Sequence, residues 1–245
     1  MQGEPSQPAQ ASLEANGRLF MVLAEELKLP LQQIARAAEL GRIRNEAGPE
    51  LLTSMQVSAD TALQLLDGYL LSLQLLARPA DALLLEPVSV AAVLHETAEQ
   101  LGTIAREYSV QLELVVEGRY EPVLAHRHVL ECALLALGHA LIEALSATGA
   151  RQLRLQLASH RTRYGIVAGL YGEFAGLTPR LLRQARYLQG VARQPLADAL
   201  LGSGAGVFVA DALLGAMSSQ LRVGRFQKMP GFAVTLPASE QLQLV

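Results

Sequence analysis

No tryptophan occurs in this chain, there is one cysteine, Cys132, and the only lysines are Lys28 and Lys228. A lone thiol cannot close an intrachain disulfide, so a reducing compartment is expected, with Cys132 an inert thiol inside an apolar helical run. The net charge of -3 gives no sign of a basic stripe, so a nucleic-acid partner is not expected. No apolar run approaches 18 residues without interruption, and Met1 to Ala11 is a Gln/Pro/Ser-rich segment without a basic, apolar leader. The expectation is a cytoplasmic protein that neither enters nor lies on a membrane and has no anchor or sensor domain of its own. Asparagine is nearly absent as well: Asn16 and Asn45 are the only two, and all five histidines lie after residue 94.

What is abundant is apolar aliphatic sequence, half of the 245 residues, which is ample for a large core. After a disordered start over residues 1–11, Leu19, Leu23, Leu27, Leu31, Ile34 and Ala38 recur every three or four positions. That spacing predicts a helix over about Leu13 to Asn45 that runs through Pro30, where the missing backbone donor suggests a kink. Gly48-Pro49 is a stop signal, and a second helix follows to about Ala77 with a stripe at Leu52, Met55, Ala59, Leu63, Leu66, Leu70, Leu73 and Leu76. Two such helices form a hairpin domain over 12–78. Its apolar stripes are covered either by a second copy, as a four-helix bundle, or by the chain's own second domain.

Beyond Arg78-Pro79-Ala80-Asp81 the pattern becomes mixed. Strands are expected within Leu83–Val90, Val110–Val116, Pro122–Leu124, Leu153–Ala158, Tyr164–Leu170, Gln220–Val223 and Phe232–Leu236. Helices are expected to Glu107, over His126–Leu145, from Pro179, and over Val207–Ala216. The fold class is therefore α+β, an antiparallel helical hairpin followed, over 83–239, by an α/β sandwich with helices on one sheet face.

Two stretches carry a resemblance. Glu26, Leu27, Lys28, Pro30 and Leu31 are similar in type and spacing to the H box of bacterial sensor histidine kinases, with Glu25 in the place of the phosphoacceptor histidine. Over residues 83 to 237, Gly202-Ser203-Gly204-Ala205-Gly206-Val207 and Gly231 to Pro237 resemble the second glycine box and closing hairpin of the GHKL-type ATPase domain of those kinases. Alternating glycines let backbone N–H groups approach a phosphate at a helix N-terminus, or make a tight turn into a packed helix.

The resemblance implies a homodimeric, two-component type protein, yet three chemical requirements are missing. Neither hairpin helix carries a histidine, and a carboxylate is no substitute for an imidazole in phosphoramidate chemistry. The helix matching the N box offers Ala136 and Ala140 in one register, or His139 in Gly138-His139-Ala140-Leu141 in the other, where Mg²⁺ needs an oxygen. Glu131 and Glu143 of that helix are expected on a solvated face. The first glycine box is matched by Gly172-Glu173-Phe174-Ala175-Gly176, with Gly172 where an adenine-binding Asp is needed.

The leading reading is a catalytically inactive pseudokinase. It binds no cofactor, ATP and Mg²⁺ weakly or not at all, and His139, Gly172, Gly176, Gly202, Gly204 and Gly206 mark a degenerate nucleotide site. Glu25, Lys28 and Gln32 share one helix face and form the candidate surface for a response-regulator receiver domain or another histidine kinase. The alternatives are a divergent histidine kinase or phosphotransfer protein using a residue such as His139, and a scaffold outside phosphorelay.

Overall fold

The computed structural model describes residues 27, 31–41, 48–77, 83–118, 120–150, 152–188, 195–200 and 204–239. The H-box residues Glu25, Glu26, Lys28 and Pro30 lie outside them, as do Gly202 and Ser203. Two helical segments come first, α1 over 31–41 and α2 over Pro49–Ala77. The second domain then runs β1 (Glu86–Val88), α3 (Val90–Glu107), β2 (Val110–Val116), β3 (Val123–Ala125), α4 (Arg127–Ala147), β4 (Leu153–Thr162) and β5 (Gly165–Gly172). It closes with α5 (Pro179–Leu188), α6 (Pro195–Leu200), α7 (Ala205–Ala216), β6 (Arg222–Phe226) and β7 (Met229–Leu236).

Five strands form a sheet in the order β2-β4-β5-β7-β6, with β2 and β4 parallel and the other neighbours antiparallel. β1 and β3 make a separate antiparallel pair. Alternation decides which side chains face the helices: Leu155 and Leu157 of β4, Ile166, Ala168 and Leu170 of β5, and Phe232, Val234 and Leu236 of β7 all enter one core. The opposite sheet face holds only a small cluster around Ala158, Tyr171, Phe226 and Ala233. Helices therefore cover one face, as the patterning predicts.

Local signals explain where the helices begin. Ser89 caps α3, its side chain accepting from the Ala92 N–H, and the His126 ring does the same for α4 from Val129. Gly204 stands before α7 with φ 68°, a left-handed conformation that a side chain would strain. α4 is the centre of the domain. Among the described residues it is the helix long and apolar enough to cross a membrane, but 78% of its apolar window is buried inside the fold, which accounts for its composition.

Three sequence expectations need correction. Val90 opens α3 and is not part of a strand, the strand expected at Gln220 starts at Arg222, and β4 continues past Ala158 to Thr162. Of the two ways of covering the hairpin, the chain's own second domain supplies one, because α2 packs on both α4 and α7.

α2 has two faces of different chemistry. The face set on the second domain is built from Ser58, Thr61, Leu65, Gly68, Tyr69 and Ser72, all buried, at helical spacing. Small side chains there allow close approach: a Cβ added to Gly68 would stand 3.8 Å from Cγ1 of Val209 on α7. The leucine stripe is divided, with Leu66 and Leu73 packed on the core and three leucines left over. Leu52, Leu63 and Leu70 remain 54%, 58% and 46% exposed.

Candidate functional site

Only part of the expected nucleotide site comes together: Gly206 of α7 meets Ala136 and Ala140 of α4 where α2 packs on both helices, while Gly172 and Gly176 lie at the end of β5 and in the turn after it. Gly206 sits at this crossing for a steric reason, since a Cβ on it would lie 2.3 Å from the Ala136 carbonyl oxygen and 3.1 Å from the Ala140 Cβ. The glycine is thus spent on bringing α7 against the two α4 alanines. Gly204 supplies the turn, and its carbonyl accepts from the Val207 N–H at 3.2 Å.

His139, one turn along α4 from Ala136, is 3% exposed. Its Nε2 lies 2.8 Å from Gln64 Oε1 of α2, so the proton sits on Nε2 and Nδ1 is left as a buried acceptor without a partner. Gln64 continues the chain: its amide donates to Gln100 of α3 at 3.4 Å, and Gln100 donates to Glu131 of α4 at 2.6 Å. An amide relay thus fastens the hairpin across α3 and α4. Burial without a compensating charge pulls the His139 imidazole down to about 4, so it is neutral at physiological pH.

Of the two glutamates of α4 expected on a solvated face, Glu131 lies there and Glu143 turns inward. Glu131 is held by Gln100, and Glu143, one turn beyond His139, faces the hairpin, where burial pushes its carboxyl up to about 7. His139 and Glu143 oppose each other in the pH dependence of stability. The unfolded chain takes up a proton at His139 before the folded chain does, so between about pH 6.5 and 4 this group lowers stability as pH falls. The folded chain holds a proton on Glu143 longer than the unfolded one, so between about pH 4.5 and 7 this group lowers stability as pH rises. Urea midpoints of the wild type should vary little over the overlap of these windows. Glu143→Gln should make stability climb from pH 4 to 6.5, and His139→Gln should make it fall from pH 4.5 to 7; parallel profiles for the two variants would refute this.

Gly172 ends β5, and the Phe174 ring occupies its flank, with Cε2 2.9 Å from where a Cβ would stand. Phe174 itself is buried in the core. An aspartate at 172 and a phenylalanine at 174 are therefore mutually exclusive without rearrangement. Gly176 stands apart in the following exposed turn at φ 80°. The segment after it is anchored through Leu182, Ala185, Leu196 and Leu200 in the core. Arg186 of α5 also grips Asp211 of α7 through two hydrogen bonds of 2.7 and 2.6 Å and donates to the Leu221 carbonyl.

Of the candidate docking residues, Gln32 lies exposed on α1, while Glu25 and Lys28 fall outside the described residues. Cys132 is half-buried, with Sγ 3.7 Å from His128 Nε2, and burial pushes its thiol up to about 11, which keeps it unreactive. Among the described residues no cluster of three His, Cys, Asp or Glu side chains is arranged to hold a metal. Sequence reasoning missed Gln64. Its signal was the run of small and polar positions on α2 at the same period as the leucines but on another face.

No family model matches the sequence, and no curated protein does. Solved structures do match. The Acinetobacter baumannii histidine kinase AdeS is similar with a TM-score of 0.54 at 16% identity, covering 88% of this chain and 98% of that one. The histidine kinase ThkA, solved in complex with the response regulator protein TrrA, is similar with a TM-score of 0.57 at 10% identity, over 95% of this chain and 64% of that one. Full-length ShkA in complex with AMPPNP gives 0.52 at 19% identity, over 97% of this chain and 47% of that one. This chain therefore has a histidine-kinase-like fold, a helical hairpin joined to a GHKL-type α/β domain.

Proposed function

We propose that this protein is a catalytically inactive histidine-kinase-like module, a homodimer that works in a two-component type pathway by binding a response-regulator receiver domain or another histidine kinase. The observation that carries the reading is His139. Where a kinase of this fold needs an oxygen ligand for Mg²⁺, this chain has an imidazole buried against its own α2. A neutral imidazole is a poor ligand for that hard cation, and the flanking Ala136 and Ala140 offer no donor. Phe174 beside Gly172 supports the same reading at the adenine end, because the carboxylate that would accept from the base is absent and its space is shared with a ring. His139 is also a poor candidate for carrying phosphate itself, since a nucleophile must reach its donor and this one is enclosed.

The leucine stripe of α2 supports the dimer. Exposed leucines aligned along one helix face are apolar surface that a second copy can bury in a four-helix bundle. ThkA is solved with a response regulator, which supports a receiver as the kind of partner. Its docking face would be Glu25, Lys28 and Gln32, with Glu25 presenting a fixed negative charge where a phosphohistidine would otherwise stand. A binding titration with candidate receivers tests this. Glu25→Gln and Lys28→Glu should each weaken binding by about tenfold or more, some 1.4 kcal/mol, and Glu25→His should gain phosphotransfer from a phosphorylated receiver. Affinity unchanged by all three substitutions would contradict the assigned face.

A further inference from the structure

A cavity of about 230 Å³ lies between α1, α2 and the second domain, away from the crossing of α4 and α7. Its size falls just under the roughly 300 to 1,000 Å³ of pockets for drug-sized ligands, so it suits a compact metabolite. Three polar side chains of its lining are linked. Ser58 of α2 donates to Gln33 Oε1 of α1 at 3.2 Å, and Gln33 Nε2 donates to the Tyr108 hydroxyl at the end of α3 at 2.7 Å. Three elements are thereby tied around the cavity, which gives it a formed wall.

Glu143 enters the same cavity from α4. Among the described residues no hydrogen bond or ion pair holds its carboxyl, although the relay of Ser58, Gln33 and Tyr108 lines the same space. The other charged groups facing it are Glu107 of α3 and Arg36 of α1, both more exposed and opposite in sign. Tyr108 is also near, and burial raises its hydroxyl above the ordinary range, so it remains neutral. The local balance is one carboxyl in excess. Leu51, Val57 and Ile104 make the apolar remainder of the lining. A half-buried carboxyl without a partner, facing an apolar wall, is the complement of a cation carried on a short alkyl chain.

We propose that this cavity is a binding site for a small organic cation, with an ammonium or guanidinium group taken by Glu143 and an aliphatic portion against Leu51, Val57 and Ile104. The site is distinct from the nucleotide region and does not depend on the receiver reading. Because its walls come from both the hairpin and the second domain, occupation would stiffen the junction between them.

Binding is coupled to a proton. At neutral pH Glu143 is partly protonated, and a cation that takes the carboxylate displaces that proton to solvent. Calorimetry on the full chain with n-pentylamine, 1-pentanol and pentanoate tests the assignment. The amine should bind, the isosteric alcohol should bind at least about tenfold more weakly, and pentanoate should not bind. Amine affinity should fall about tenfold per pH unit below 7, and heats in buffers of different ionisation enthalpy should report proton release. Glu143→Gln should abolish both the preference for charge and the pH dependence, and Ala37→Leu should weaken binding by filling the cavity with Glu143 intact. Equal binding of amine and alcohol, unchanged binding in Glu143→Gln, or no signal from the amine at about 10 mM would each overturn the proposal. If either variant fails to fold, the comparison of the three compounds on the wild type decides alone.

Discussion

Leu63→Glu combined with Leu70→Glu should convert the proposed dimer to a folded monomer. Both leucines lie on the face of α2 that points away from the second domain and are 58% and 46% exposed in the protomer. In a four-helix bundle they become part of the seam, so the double substitution places four carboxylates in a dry interface. An uncompensated buried charge costs about 3 to 5 kcal/mol, whereas a dimer with a dissociation constant of about 1 μM is held by about 8 kcal/mol. The interface should not survive that change. The protomer should, because neither leucine enters its core, and its thermal midpoint at low concentration should move little. Light scattering at tens of micromolar reads the result; a wild type of monomeric mass, or a double variant that stays dimeric, would remove the bundle from the account.

The contrast between the two faces of α2 also shows what the sequence made legible. Large aliphatic side chains at a three-four period announce a helix and one of its stripes, but not how that stripe divides: Leu66 and Leu73 pack on the second domain's core, while Leu52, Leu63 and Leu70 stay exposed. The other face was silent because Ser58, Thr61, Gly68 and Ser72 look like ordinary solvated helix residues, and only the packed structure reveals that their smallness admits α4 and α7. The sheet was legible for the reverse reason. Strands such as Val110–Val116 and Gly165–Gly172 alternate or run apolar between clear breakers, and their pairing order follows from topology that no single segment encodes.

The site divides in the same way. Missing residue types are visible in any sequence, so the lack of asparagine after residue 45 and the glycine at 172 needed no structure. Long-range partners are not visible. Gln64 and His139 are 75 residues apart, as are Gln33 and Tyr108, and nothing local marks either pair. Glu143 shows the cost of reading a helix residue by type alone: a glutamate is usually solvated, but this one sits one turn from His139 on the face that the hairpin covers.

The central proposal is that this chain does not hold a nucleotide. The physical ground is cumulative, since each loss removes a different part of the binding energy. A missing carboxylate for the base costs about 2 to 4 kcal/mol, on the scale of an unmade hydrogen bond to a charged group, and at the matched positions of α4 Ala136, His139 and Ala140 offer Mg²⁺ no oxygen. α2, fastened by the Gln64 relay, would also have to yield its contact with His139 before any ligand could use that residue. Calorimetric titration of the full chain with ATP in the presence of Mg²⁺, followed by assay for acid-labile phosphate, measures the claim directly. The account predicts a dissociation constant well above about 10 μM, weaker than roughly -7 kcal/mol, and no phosphate on the chain; binding tighter than that, or a phosphorylated product, would contradict it.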